Sequence, residues 1–321
     1  MARGVVHRLW RSLALAATAL ELSACDSELI TLGRLADGAN NGGADGGKSG
    51  AGGSPGTFRL KFGEPTQRVD LGLSDYKDDN ATLTESALVV YFTSTRGGRS
   101  EVYTATRPTR DDPFSEPTLV EVVNEGEESS SPAISLDGLS LWVGKKREED
   151  GLGELDIWVT TRDEMAGAWS GLQNVTVLNS PKRDIPRPAA QNRVMPLSSD
   201  RDDVDDDYRI YLAVRPNDGG TFGMPLALPE LDLGKRVVDG FLSEDLLTLF
   251  FSSGVEEDDG DLFVCERASE SEAFGAPVPL DALNSPADER DPWLSPDGQR
   301  FFFTSNRSGD HEIFESVVSS D

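Results

Sequence analysis

A block of about fifty residues returns five times along this chain, and a period of that length restricts the fold more than any bulk property does. Its anchor is a polar residue, an aliphatic and an aromatic: "EVY" ending at Tyr103, "DIW" at Trp158, "RIY" at Tyr211, "DLF" at Phe263 and "EIF" at Phe314, at steps of 55, 53, 52 and 51 residues. An apolar run precedes each unit: "VVYFTST", "LSLWVGK", "VMPLSSD", "LTLFFSS" and "RFFFTSN". Turns feed those runs at "LDGL" near Gly138, "SEDL" near Asp245 and "SPDG" near Gly298, where Asp and Gly suit a tight reversal. An aromatic, a Gly or Ser and an extended run follow the units, as in "PFSEPTLVEVV", "AWSGLQNVTVL", "TFGMPLALPEL" and "AFGAPVPLDAL".

The two ends of the repeat region complete one another. "KFGEPTQRVDL", Lys61 to Leu71, matches the fourth segment with no first three before it, and the last copy, Asp291 to Phe314, has three segments and no fourth. Pairing them closes a ring and removes open sheet edges. The reading is an all-β, five-bladed β-propeller of four-stranded antiparallel blades, closed by an N-terminal strand. An open sandwich of hairpins would leave the matching ends unexplained. Pro196 inside a second strand predicts a bulge or irregular edge in its blade.

The last copy, "SPDGQRFFFTSNRSGDHEIF", resembles the TolB-like propeller repeat, also described as WD-repeat-like, through Ser295, Pro296, Asp297, Gly298, Ser305, Asn306, Arg307, Gly309, Glu312 and Ile313. The other copies are degenerate: "SLDG" lacks the Pro, and "TESA" and "AAQN" lack the Asp-Gly. By period the resemblance covers roughly residues 57 to 317. It implies a propeller of the bacterial envelope, where relatives dock other envelope proteins and some accompany peptidase domains.

The N-terminus agrees with export. "MARGVVHRLWR" is basic, "SLALAATAL" is a short apolar run, and "LSAC" resembles the lipobox of bacterial lipoproteins. This divides the chain into a signal peptide over 1–24, a lipidated Cys25 with a flexible Gly-rich linker over 25–56, and a propeller over 57–321. The expected location is the bacterial cell envelope, lipid-anchored at the outer membrane, with the lipid as the sole membrane contact. Cys265, in the alternating strand "DLFVCERA", is then without a disulfide partner and reads as a buried apolar residue.

Charge and motifs exclude several chemistries. A net charge of −27 repels nucleic acid and anionic lipid surfaces. The mature chain keeps one His, His311, placed in a turn where a solvated loop residue is expected, so a Ser-His-Asp triad or a zinc site lacks its parts. No GxSxG elbow, phosphate loop or dinucleotide fingerprint is present.

Carboxylates remain. Asp79, Asp184, Asp239 and Asp291 stand where first strands begin, with "DRDDVDDDY" from Asp200 and "VEEDDGD" from Val255 on hairpins of the same face. Trp293 opens a first strand near the channel, where a ligand could stack, although core packing suits it better, as it does Trp142, Trp158 and Trp169. These acids form a candidate binding face for an envelope protein. The alternative is a carbohydrate-binding protein or glycoside hydrolase with a carboxyl pair at the channel mouth. No cofactor is expected. A looser calcium site stays open, because "DRDDVDDDY" has the oxygen density but places Val204 where an EF-hand loop needs an oxygen ligand.

Overall fold

The computed structural model describes residues 60–320 except 73–74, 147–149, 203–207, 217–219 and 255–258. The expected signal peptide, Cys25, the linker and much of both acidic hairpins lie outside the described residues.

Five antiparallel sheets follow one another along the chain. In blade 1 the first three strands are Asp78–Leu83, Val89–Ser94 and Glu101–Thr106, with Thr118–Leu119 outermost. Blade 2 repeats this with Ser129–Ile134, Ser140–Lys145, Asp156–Thr161 and Gln173–Asn174, and blade 3 with Asp184–Pro186, Val194–Ser199, Arg209–Val214 and Leu226–Ala227. Blade 4 consists of Arg236–Leu242, Thr248–Gly254, Asp261–Glu266 and Val278–Pro279. Second strands have neighbouring blades on both faces, so they need continuous apolar runs rather than alternation. Phe301, Phe302 and Phe303 in a row are each no more than 1% exposed.

Blade 5 joins both ends of the chain. Glu289–Leu294, Arg300–Ser305 and Glu312–Ser320 are its first three strands, and Thr66–Gln67 pairs as the fourth. Leu60–Phe62 extends the seam against Val318–Ser320. Arg68 N–H donates to Ile313 O at 2.8 Å, just as Val120 N–H does to Val102 O at 3.0 Å in blade 1. The ring therefore closes as the two sequence fragments require.

Arginines fix the turns of each repeat. On the front face, where first strands begin, Arg96, Arg201 and Arg307 donate Nε to Ser94, Ser199 and Ser305 and Nη2 to the carbonyls of Leu71, Leu178 and Leu283. Each also reaches the acid that opens its first strand: Asp78, Asp184 or Glu289. Blade 2 solves the same problem with Lys145, 1% exposed, whose Nζ donates to Val123 O, Glu127 O and Ser129 Oγ.

On the back face Arg107, Arg162, Arg215 and Arg267 donate Nε to the carbonyls of Ala87, Gly138, Asn192 and Leu246. Those four residues have φ between 51 and 72°. At Ala87, Asn192 and Leu246 a side chain in that left-handed region costs about 1 kcal/mol, and the guanidinium helps hold it there; Gly138 keeps the arginine without that cost. Blade 5 has Val318 in place of the arginine, and its turn residue is Gly298, for which φ of 68° carries no such cost.

Pro196 does not produce the expected bulge. Its strand keeps unbroken register with both neighbours, because Pro196 O still accepts from Arg187 N–H at 3.0 Å and its missing N–H faces only a three-residue first strand. The register shifts lie instead in the first strands of the other four blades.

Candidate functional site: the polar axis

Those four shifts build the centre of the ring. At each one a residue other than Gly takes a positive φ: Asn80 at 55°, Ser131 at 51°, Asp239 at 58° and Asp291 at 58°. Three of their N–H groups donate to side chains of other blades: Ser131 to Thr93 Oγ1 at 3.0 Å, Asp239 to Ser198 Oγ at 2.9 Å and Asn80 to Asp291 Oδ2 at 3.1 Å. Backbone strain is thus repaid by bonds that run around the axis.

Blade 3 contributes Arg187 instead of a bulge. Its Nη1 donates to Asp291 Oδ1 at 3.3 Å and Asn80 Oδ1 at 3.4 Å, and its Nη2 to Pro292 O at 2.9 Å. One guanidinium, 1% exposed, therefore ties blades 3, 5 and 1 together. Asp239 Oδ2 accepts from Ser252 Oγ at 3.0 Å, and Asp79 Oδ1 from Asn80 Nδ2 at 3.0 Å. Arg187 Nε and Thr304 Oγ1 are buried without a bonding partner.

Burial and like charge act together on these acids. Asp291 is 1% exposed, and its burial, with Asp239 and Asp79 nearby, pushes its carboxyl up to about 8 against the opposing pull of Arg187 and Arg290. Burial also raises Asp79, with Asn80, Arg290 and His311 opposing. Burial at the axis accordingly favours the protonated form of these carboxyl groups. Asp288 is buried too, but His311 and Arg290 outweigh that and hold it below the usual carboxylate range.

The sequence-derived candidates separate on this geometry. Asp79, Asp239 and Asp291 meet at the axis. Asp184 does not: it pairs in register with Ser199, as Asp78 does with Ser94, and serves the front-face clasp through Ser180, Ser199 and Arg201. Trp293 is fully buried, 6.2 Å from Phe241 and 5.8 Å from Phe302 between ring centroids, so it fills the core and presents no stacking surface. His311 is a correction of the loop expectation, being 5% exposed with Nε2 2.8 Å from Asp288 Oδ2.

Arg187, Asn80 and Arg290 were not marked by sequence reasoning. The available signal was "PRP" around Arg187, a charge between two prolines where the other first strands carry small or acidic residues. Among the described residues, no group of three His, Cys, Asp or Glu side chains is placed to hold a metal ion.

Five four-stranded blades around a polar axis define a five-bladed β-propeller. Among solved structures it is similar to the endo-arabinase of Bacteroides thetaiotaomicron VPI-5482, with a TM-score of 0.51 and 13% identity over 79% of this chain and 97% of that one. TolB from Agrobacterium tumefaciens gives 0.49 and 14% over 78% of this chain and 79% of its own. TolB from Acinetobacter baumannii gives 0.48 and 16% over 77%, and the match spans only 56% of that protein. At these identities the likeness is one of fold. No family model matches the chain, and no curated protein matches it.

Proposed function

We propose that this chain is a non-catalytic docking propeller of the bacterial envelope, tethered through Cys25 and presenting its front face to a protein partner. The observation that carries this reading is Arg187: it engages Asp291 inside a buried network spanning three blades, so the axial polar groups serve the scaffold. The front face meanwhile exposes Val69 at 72%, Leu152 at 54% and Tyr76 at 37%, among exposed Asp75, Glu127, Glu128 and Glu154. Apolar anchors rimmed by charge suit a protein contact.

The test uses the full-length protein in detergent as bait for a native envelope extract, with retained protein and retained glycan measured in one eluate. A single protein held near stoichiometrically, and lost when Val69, Tyr76 and Leu152 are changed to Ser, is the expected result. Polysaccharide retained without protein would sink the proposal.

One observation favours a second reading, a carbohydrate-active axis. Burial pushes the Asp291 carboxyl up to about 8 close to two further carboxyl groups, and a carboxyl able to donate a proton near neutral pH is one of the parts a glycosidase needs. Release of reducing ends from envelope polysaccharide, abolished by Asp291→Asn, is its signature.

A further inference from the structure

Two departures from the repeat fall on one blade. The third residue after the back-face aromatic is proline in four blades, Pro65, Pro117, Pro225 and Pro277, but Leu172 in blade 2. That blade also carries Trp169 where the other four have phenylalanine; it is partly exposed, as Phe62 is, whereas Phe114, Phe222 and Phe274 are each 5% exposed.

The pairing shows what the prolines do. Along an antiparallel strand, N–H groups point alternately toward the partner and away from it. Val175 N–H donates inward to Ile157 O at 3.0 Å, so the N–H groups of Asn174 and Leu172 face the open edge. The same count from Arg68, Val120, Leu228 and Leu280, all bonded inward, puts the four prolines at the outward position. Four edges lack that donor, a common way to block strand addition, and blade 2 keeps it.

A groove of about 360 Å³ lies between the outer strand of blade 1 and Trp169 of blade 2, lined by Tyr91, Leu119, Val120, Glu121, Val122 and Trp169 among others. Trp169 and Leu172 pack on one apolar cluster between blades 1 and 2, which joins groove and edge. We propose that the outer edge of blade 2 receives one extended strand of a basic partner polypeptide, with an apolar side chain of that strand filling the groove.

Charge selects the occupant. Exposed Glu116, Glu121, Asp163 and Glu164 surround the site. Arg162, the cation in its wall, donates Nε to Gly138 O and stacks 4.2 Å from the Trp169 ring. A second copy of a chain carrying −27 is repelled. A sugar ring would need the Trp169 face that Arg162 covers. The site lies on the rim, so it stands or falls separately from the front-face contact.

Full-length protein in detergent is panned against phage-displayed random dodecapeptides, with Leu172→Pro as the counter-variant. Leu172→Pro restores the residue of the other four blades but also removes a side chain from the cluster between blades 1 and 2, so Leu172→Ala, which keeps the N–H and is expected to keep binding, controls for the lost packing. The expected peptides are basic with alternating apolar residues, lose at least about tenfold in affinity on Leu172→Pro, and slow amide exchange at Leu172 and Asn174. Equal binding to both proteins, or no edge-dependent binder, overturns the proposal. Wild-type dimers that become monomers on Leu172→Pro would overturn it too, by making a second copy the occupant.

Discussion

Arg68 Nη1 donates to Glu315 Oε2 across 3.1 Å, joining residues 247 positions apart and fastening the closing strand to the blade it completes. Arg107 and Arg300 converge on the same carboxylate at 3.3 and 3.7 Å. The Arg107 side chain is fully buried, so Glu315 is the counter-ion it cannot replace with water. Glu315→Gln is expected to lower stability by about 3 kcal/mol, because it strands a buried cation. Arg68→Ala, at a site 16% exposed, should cost about 1 kcal/mol. Urea midpoints compared at constant m-value check the ranking, and equal losses would contradict it.

Stability should fall as pH rises from about 5 to about 8. In that window the folded chain keeps a proton on Asp291, pushed up to about 8, that the unfolded chain has released. Glu312, raised to about 7 by burial and by Asp78, acts in the same direction. A carboxyl raised on folding contributes fully below its unfolded value and loses that contribution progressively as pH rises to its folded value. Asp291→Asn should flatten the slope by up to about 1.4 kcal/mol per pH unit. Denaturation across that range decides the point, and an unchanged slope counts against a protonated axis.

Lys145→Met should cost about 1 to 2 kcal/mol, since it removes the Nζ bonds to Val123 O, Glu127 O and Ser129 Oγ while Ser129 Oγ–H still donates to Val123 O. Lys145→Ser turns residues 145–147 into the Ser-Lys-Arg order of the Ser-x-Arg clasps, so it should lose less than the Met variant. Thermal midpoints of the two variants test whether the front-face clasp is interchangeable.

Cys265 should resist a thiol reagent in the folded protein. It is 2% exposed, and burial pushes its thiol up to about 12, which leaves almost no thiolate at neutral pH. Labelling at a constant rate before and after adding denaturant would show this assignment to be wrong.

The ring was legible because its information is repeated. Five aromatic units and two complementary ends over-determine the blades, and no single degenerate copy can obscure them. The axis was less legible for a local reason. Asp79, Asp239 and Asp291 stand out as acids near strand starts, but Asp184 looks the same in sequence and falls one or two positions earlier in its strand, in the register of Asp78 and Glu289, where the acid serves the front-face clasp; blade 3 in addition lacks a bulge. A bulge shifts which residue meets the axis by one position, and nothing in the spacing of blade 3 announced its absence. Arg187 was invisible for a related reason, since its partners lie 104 and 107 residues away.

Closure by Leu60–Phe62 and Thr66–Gln67 also sets an order in time. The strand that shuts the ring is made first, and the surface it shuts against, Glu312–Ser320, is made last. Four blades can form during synthesis, each from neighbouring sequence. The fifth must wait for Glu312–Ser320, with the early strand unpaired until then. Ring closure therefore follows the making of the other blades, and through that interval the nascent protein carries a loose strand that none of the first four blades can satisfy.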